Sequence, residues 1–210
     1  MLMNLQFMRL GSIFVALALS AGNAFAHHVM GGRTPATFGE GMLSGLGHPI
    51  IGLDHFAAVV AVGCIAAMHA AGASPVVAFI VAMMAGVALL LNGATVPAAE
   101  ILVALSVIAL GVLMLSRRQM SVAAALLLFA LVGLMHGYAL GESIFGAEQS
   151  PLYAYLLGLA VIQSAIALVA MAITRRLAGQ SGDLSPLRLV GAGIGGIGLA
   201  VLMQQIVPAA

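Results

Sequence analysis

An otherwise apolar stretch of the chain, GLGHPIIGLDHFAAVVAVGCIAAM, carries three residues that can bind a metal ion: His48, Asp54 and His55. An ionisable side chain is costly in hydrocarbon, so such residues normally face the interior of a helical bundle or a water-filled cavity. Imidazole nitrogens combined with a carboxylate form a ligand set that suits first-row transition metals. The stretch therefore predicts a metal site inside a membrane segment.

The composition indicates a membrane protein. Of the 210 residues, 63% are hydrophobic and 6% are charged, whereas about a quarter of the residues are charged in ordinary soluble domains. A chain with so little polar surface is expected to face lipid. Its net charge of +1 gives no indication of a nucleic-acid partner, and Cys64 is the single cysteine, so no disulfide can form within the chain.

The first 26 residues have the pattern of a secretory signal peptide. Arg9 precedes a short apolar run, and residues 24–26 (AFA) follow the small-x-small rule for cleavage. Cleavage after Ala26 would place His27 and His28 at the new N-terminus, outside the cytoplasm. The alternative is an uncleaved first helix, which the shortness of the apolar run disfavours.

Six apolar segments follow, and each is close to the roughly 20 residues that a helix needs to cross a bilayer. Their approximate bounds are 49–70, 75–91, 97–116, 121–138, 151–173 and 186–206. Five of them begin with proline, which suits the first helical turn because its missing N–H would have no partner there; these are Pro49, Pro75, Pro97, Pro151 and Pro186. We therefore expect an all-α fold, a polytopic membrane helical bundle with six transmembrane helices after a cleavable signal peptide, with residues 27–210 forming one domain.

Arginine residues set the predicted orientation. Arg117 and Arg118 follow the third span, while Arg175, Arg176 and Arg188 lie between the fifth and sixth. The two groups fall on the same side of a six-span chain, and basic residues favour the cytoplasmic side. The pattern predicts a multi-pass protein of the bacterial cell inner membrane, with both termini of the mature chain in the periplasm.

Polar residues from several spans are predicted to converge at one level in the periplasmic half of the bundle. The first span contributes the histidines and the aspartate, and the second ends at Asn92. Glu100 is in the first turn of the third span, His136 is in the last turn of the fourth, and Glu142 is in the loop that follows. The alternatives are a first-turn carboxylate favoured by the helix dipole for Glu100, and an ordinary loop charge for Glu142.

The spacing of the first two histidines limits what they can bind. His48 and His55 are seven positions apart, so on an unbroken helix they share a face but stand about 10.5 Å apart along the axis. Either Gly45, Gly47, Pro49 and Gly52 let the outer turn unwind, or the two histidines serve successive positions on a path. Asp54 is then either a ligand or the acceptor that orients an imidazole from another span. His69, near the inner end of the span, is expected to hydrogen-bond across helices.

Three segments resemble the HupE/UreJ family, the nickel permease-like proteins linked to hydrogenase and urease maturation. HPIIGLDH at 48–55 is similar to the family's H-x5-D-H motif, and MHGYALGE at 135–142 is similar to its second motif, roughly F-H-G-x-A-x-G-x-E. In that second motif Met135 replaces Phe, and Glu142 stands one position early. VPAAEILVALSVIALGVLM resembles the family's third-span region.

The resemblance implies a permease, and not an enzyme, that moves Ni²⁺ from periplasm to cytoplasm and supplies hydrogenase or urease maturation proteins. Ni²⁺ would be the transported substrate, with Co²⁺ as the alternative, and no organic cofactor is expected. The metal would be captured near the N-terminal histidines and the acidic outer loop before it reaches the buried site. The residues expected to contact it are His27, His28, His48, Asp54, His55, Asn92, Glu100, His136 and Glu142.

Other classes of membrane protein remain as alternatives. A bis-His haem redox protein would need two histidines facing each other on two spans, and His55 with His136 is the candidate pair. An intramembrane serine protease would need a nucleophilic serine in a Gly-x-Ser context, for which residues 141–143 (GES) are a poor match. A metal sensor or chaperone would use the same metal ligands without transport.

Overall fold

A computed structural model of the protein describes residues 33–116, 120–181 and 185–207. Within these residues the chain forms no strand and seven α-helices: α1 (Phe38–Ile51), α2 (Leu53–Ala67), α3 (Ser74–Leu91), α4 (Ala99–Ser116), α5 (Val122–Gly141), α6 (Gln149–Ser181) and α7 (Ser185–Ile206). A short 3-10 helix, Glu142–Ile144, follows α5. Helices α3 to α7 are each long and apolar enough to cross a membrane, and α1 with α2 can supply a sixth span. The predicted all-α membrane bundle is confirmed.

Several predicted features fall outside the described residues. They are the signal peptide at 1–26, the N-terminal histidines His27 and His28, and the basic pair Arg117 and Arg118. Arg175 and Arg176 are exposed near the end of α6, and Arg188 is exposed in the first turn of α7.

Helix α1 begins earlier than the apolar pattern predicts. Thr37 is its N-cap, and the Thr37 hydroxyl accepts from the Glu40 amide at 3.2 Å. The Glu40 carboxylate accepts from the Thr37 amide, also at 3.2 Å. This reciprocal capping box satisfies amides that the first turn leaves unpaired. Pro49, predicted to begin the first span, consequently lies inside α1.

A sharp break separates α1 from α2. The two helices are joined by Gly52 alone, and their directions differ by 78°. Gly52 has extended backbone angles, φ −74° and ψ 100°. Its amide donates to the His48 carbonyl at 2.9 Å, and its carbonyl accepts from the Phe56 amide at 2.9 Å. Both helix ends are thus satisfied at the break, so the bend is a regular feature of the backbone. The predicted span 49–70 consists of the end of α1 and the whole of α2.

Both halves of the broken segment pack along α6. A Cβ at Gly41 or Gly45 of α1 would collide with the carbonyls of Pro151 and Tyr155, and one at Gly63 of α2 would collide with the Ala167 carbonyl. The contacts advance in the same order along the broken segment and along α6, so α1 and then α2 run in the same general direction as α6. This order favours one broken span over a re-entrant loop.

The remaining helices also meet through glycine. In α5, Gly133 and Gly137 lie against the backbone of Phe79 and Met83 of α3, and α4 meets α7 where Gly111 faces Gly195. Small residues let membrane helices approach closely, so that backbone and side chains pack without voids. These contacts fix how closely α3 packs against α5 and α4 against α7.

Proline lies within two residues of the first residue of four helices. Pro75 and Pro186 are the second residues of α3 and α7, Pro151 is the third residue of α6, and Pro97 stands two residues before α4. These positions agree with a residue that has no amide hydrogen to donate in the first turn. Pro49 is the exception because it lies near the end of α1.

Candidate metal centre

Two imidazole rings from different helices meet beside the α1–α2 break. His55 is in the first turn of α2, and His136 comes from α5. Their Nδ1 atoms lie 2.8 Å apart, and the ring centroids are 5.0 Å apart at an interplanar angle of 74°. Both side chains are buried, His136 at 1% exposure. The structure therefore joins two of the residues that the sequence placed at one membrane level.

Ser106 of α4 shows where the hydrogens of this pair lie. Its hydroxyl donates to the Val103 carbonyl at 2.7 Å and also lies 2.9 Å from Nε2 of His136. A serine hydroxyl has one hydrogen, so both contacts are satisfied when the Nε2–H of His136 donates to Ser106. Neutral His136 then has a bare Nδ1, which accepts the Nδ1–H of His55.

This arrangement of hydrogens leaves Nε2 of His55 with a free lone pair. A histidine that binds a metal commonly donates its other ring N–H to a neighbouring acceptor, which fixes the tautomer and the ring orientation. His136 has both ring nitrogens engaged, one by His55 and the other by Ser106. In this geometry His136 is suited to orient His55, and His55 is suited to bind the metal.

His48 is held from the opposite side of the break. Its Nδ1 lies 2.8 Å from the Ser143 hydroxyl, which belongs to the 3-10 helix after α5. The Tyr155 hydroxyl of α6 donates to the Leu140 carbonyl at 2.6 Å, and the Ser143 hydroxyl lies 2.9 Å from that carbonyl and 3.2 Å from the Tyr155 hydroxyl. All of these residues are buried. The network ties the end of α1 to α5 and α6.

The break brings His48 and His55 much closer than a straight helix would. Their ring centroids are 5.9 Å apart, compared with the axial separation of about 10.5 Å expected for seven residues of regular helix. Residues 45–51 stay helical and the chain departs from helix at Gly52 alone, so the two histidines approach through a break and not through an unwound outer turn. Two imidazoles can now serve one location.

Asp54 and Gly52 complete the buried cluster. Asp54 is 6% exposed, and its Oδ1 accepts from the His55 amide at 2.8 Å. A Cβ added at Gly52 would stand 2.9 Å from Cδ2 of His55 and 3.3 Å from Oδ1 of Asp54. Since Gly52 has a negative φ that any residue adopts, glycine is required here for space. We name this set, His48, Gly52, Asp54, His55 and His136, the histidine cluster.

The other predicted site residues lie outside the buried cluster. Asn92 is exposed at the end of α3, where its amide donates to the Ala88 carbonyl at 2.7 Å. Glu142 is exposed at the start of the 3-10 helix, and Glu100 is half-buried in the first turn of α4. The carboxamide of Asn92 is thus held on its own helix.

His69 has a structural position. Its Nε2 lies 3.0 Å from the Met120 carbonyl before α5, and its Nδ1 accepts from the Ala71 amide at 3.2 Å. It fastens the turn after α2 to the chain before α5, which is the kind of cross-connection that the sequence predicts for it.

Sequence reasoning missed four polar residues of the region, of which Ser143, Tyr155 and Gln163 are buried and Ser106 is half-buried. A serine in a helix usually bonds a carbonyl one turn earlier, and both serines do so here. No local pattern therefore distinguishes them from ordinary helical serines. Only the contacts with His136 and His48 show that they belong to the cluster.

The described part of the chain contains no three His, Cys, Asp or Glu side chains whose donor atoms already converge as a metal site. The histidine nitrogens do not converge on one point because the Nδ1 atoms of His55 and His136 are directed at each other. The arrangement offers one free nitrogen on His55, the His48 ring and a carboxylate, so a metal bound there would take its other ligands from water or from neighbouring oxygen atoms.

Comparison with known proteins identifies the family to which the chain belongs. The family model described as HupE / UreJ protein matches residues 15–201. The chain is also 33% identical over 136 residues to Protein HupE of Rhizobium leguminosarum bv. viciae, covering 64% of this chain and 69% of that protein. No solved structure matches the chain. A family match over most of the length, on an all-α bundle of membrane-spanning helices, shows that the chain belongs to the HupE / UreJ family, whose members are accessory membrane proteins of the transporter type and not enzymes.

Proposed function

We propose that the protein is a permease that moves a divalent transition-metal ion, with Ni²⁺ as its main substrate, from the periplasm to the cytoplasm across the inner membrane. The supply would serve hydrogenase or urease maturation. The observation that carries the proposal is the break at Gly52, which places the rings of His48 and His55 5.9 Å apart and buries them beside Asp54 in the bundle.

The cluster has the chemistry of a site for a borderline cation. Neutral imidazole nitrogens favour Ni²⁺, Co²⁺ and similar ions, whereas Mg²⁺ and Ca²⁺ prefer sites made of oxygen. Asp54 would supply the negative charge that offsets a divalent ion in a low-dielectric setting. The position of the cluster at a helix break also fits transporters, where interrupted membrane helices commonly form substrate and ion sites.

The residues divide into two groups in this proposal. Nε2 of His55, the His48 ring and the Asp54 carboxylate bind the ion, while His136 and Ser106 hold the His55 ring in the tautomer that keeps Nε2 free. Losing a residue of the first group removes a ligand, and losing one of the second weakens a ligand that is still present.

The predicted site residues that lie outside the histidine cluster fit a route by which the metal ion would reach it. Glu142 is exposed one position before Ser143, which touches His48. Asn92 is exposed at the end of α3, and Glu100 stands half-buried at the start of α4. With His27 and His28 at a periplasmic N-terminus, these groups would raise the local metal concentration and line the way inward.

The packing supports six spans of alternating direction, whichever side of the membrane holds the N-terminus. Helices α3 and α5 run in the same direction, as their contacts Phe79–Gly133 and Met83–Gly137 require, and the broken span runs in the same direction as α6. In a chain of six alternating spans, the second and fourth spans share a direction, and so do the first and fifth.

A haem protein is a poor fit to the same residues. The candidate axial pair, His55 and His136, is in direct hydrogen-bonding contact with 2.8 Å between nitrogens. This distance leaves no space for an iron and its porphyrin between the rings. A cobalt permease remains the second candidate, because the ligand set suits both ions.

Metal uptake by cells tests the function. Cells that express the protein and cells with an empty vector would be compared for uptake of radioactive nickel, with Co²⁺, Zn²⁺, Mn²⁺ and Mg²⁺ added in turn as competitors. We expect uptake above the empty-vector level, competition by Co²⁺ and none by Mg²⁺. Uptake equal to the empty vector for both nickel and cobalt would contradict the permease.

A further inference from the structure

A buried amide on α6 has no hydrogen-bonding partner. Gln163 is 1% exposed, and its Nε2 atom is the one buried side-chain nitrogen or oxygen without a partner among the residues that the structure describes. Buried polar groups in proteins are almost always paired, because an unpaired one forfeits the hydrogen bonds that it made with water. An exception of this kind calls for a functional explanation.

Gln163 lies on the side of α6 that faces the helix break. The residues one turn away in each direction, Leu159 and Ala167, are both 0% exposed. A Cβ at Gly45 of α1 would stand 3.0 Å from the Leu159 amide nitrogen, and a Cβ at Gly63 of α2 would meet the Ala167 carbonyl. Gln163 lies between these contacts on α6, and the helix break with Asp54 lies between Gly45 and Gly63 on the facing segment.

The same side of α6 also carries Tyr155, which contacts the hydrogen-bond network around His48. Tyr155 lies two turns before Gln163, and its hydroxyl is 3.2 Å from the Ser143 hydroxyl that touches His48. Positions spaced by four on a helix share one face. The buried side of α6 therefore runs from Tyr155, beside the Ser143 contact of His48, to Gln163, in the stretch of α6 that faces the broken segment.

We propose that Gln163 is a further residue of the metal site, whose side-chain amide contacts the transported divalent cation through its carbonyl oxygen, directly or through a metal-bound water. This proposal rests on the permease function. The unpaired amide nitrogen does not hold the carboxamide in one orientation, so rotation about the last side-chain bond can turn the oxygen to the ion. A neutral amide oxygen adds a ligand without adding charge, and here it would come from α6, a third helix beside the two helices of the broken span.

Gln163→Leu tests the proposal because leucine fills similar space without polar atoms. We expect two opposite effects. The thermal midpoint of the purified, metal-free protein in detergent should rise, since an unpaired buried amide is removed. Nickel affinity, measured by titration of the same protein, and the initial rate of nickel uptake by cells should each fall about tenfold, the usual loss for a group that supports a metal site.

Two further variants test whether the loss of nickel affinity is specific to the side chain of Gln163. Thr174→Val is the matched control, because Thr174 is also a buried polar residue of α6 but its hydroxyl already donates to the Cys64 sulfur at 3.3 Å; it should keep wild-type nickel affinity. Gln163→Glu retains a side-chain oxygen of the same reach, so it should bind nickel better than Gln163→Leu does.

The outcomes separate this proposal from the permease function. If Gln163→Leu binds and transports nickel like the wild type while His55→Ala does not, Gln163 is no part of the site and the function stands. Equal losses in Gln163→Leu and Gln163→Glu would also overturn the role of the amide oxygen. A wild-type protein that neither binds nor takes up nickel or cobalt would overturn both proposals together.

Discussion

The Nδ1 atoms of His55 and His136 are 2.8 Å apart, so one imidazole ring donates a hydrogen bond to the other. When the Ser106 hydroxyl donates to the Val103 carbonyl, its oxygen accepts from Nε2 of His136, and His55 is then the donor between the two rings. In this arrangement, hydrogen bonds across three helices leave Nε2 of His55 available to a metal ion.

Removal of a proposed ligand should abolish transport without disturbing insertion. His55→Ala and Asp54→Ala each delete a donor from a small set, so nickel uptake should fall by at least about tenfold. Alanine suits a membrane helix, and both variants should reach the membrane at wild-type levels. The measurement is uptake of radioactive nickel normalised to the amount of protein in membranes.

His69→Gln is the control for those variants. It changes a histidine of the same predicted span that contacts the Met120 carbonyl and lies in the turn after α2, so its normalised uptake should remain close to wild type. A His55→Ala protein that is present in membranes and transports nickel at the wild-type rate would show that His55 is not a ligand.

Ser106→Ala should weaken metal binding even though no ligand is removed. Without the serine oxygen, the Nε2–H of His136 loses its acceptor, and the tautomer of the His55–His136 pair is no longer set. We expect the nickel concentration for half-maximal uptake to rise severalfold. The unpaired buried N–H should also cost roughly 1–3 kcal/mol of stability, seen as a lower thermal midpoint in detergent.

Ser116→Ala is matched to that change. Ser116 is on the same helix and its hydroxyl donates to the carbonyl three residues earlier, Leu113, at 3.0 Å, as Ser106 does to Val103. Ser116 is exposed and far along α4 from the cluster. Equal effects of the two substitutions on nickel uptake would mean that the contact with His136 has no role in binding.

Gly52→Ala should impair transport through crowding. The added methyl would stand 2.9 Å from the His55 ring and 3.3 Å from the Asp54 carboxylate, so one or both must move. Gly39→Ala, in the first turn of α1, adds a methyl with nothing within 4 Å and should leave uptake unchanged. Comparable uptake by the two variants at equal protein levels would indicate that the space at Gly52 is unimportant.

Acidic medium should reduce uptake. Metal binding requires a neutral imidazole nitrogen, and an unperturbed histidine gains its proton near about pH 6.5. Protonation removes the lone pair and adds a positive charge that repels the cation, so the rate should fall as external pH drops through this region. Initial rates of nickel uptake between pH 8 and pH 5, with the membrane potential held constant, provide the test. A rate that rises at acidic pH would instead indicate coupling to protons.

The sequence alone determined the class of the protein and the identity of its chemical groups. A chain with 63% hydrophobic and 6% charged residues can fold only where lipid covers most of its surface, and apolar segments near 20 residues long must be helical because lipid offers no partners for the backbone. Histidine and aspartate in such segments are costly enough to indicate a site. His48, Asp54, His55 and His136 could be named on these grounds.

Only the tertiary structure decided how those groups are arranged. Glycine and proline around position 52 allowed either a straight helix or a break, and the choice depends on packing against α6, which no local pattern encodes. Ser106 and Ser143 are unremarkable within their own helices, and only their contacts with His136 and His48, on helices distant in sequence, connect them with the site. Hydropathy records the cost of placing a residue in lipid, whereas a metal site depends on directions and distances between side chains, and these exist only once the helices have packed.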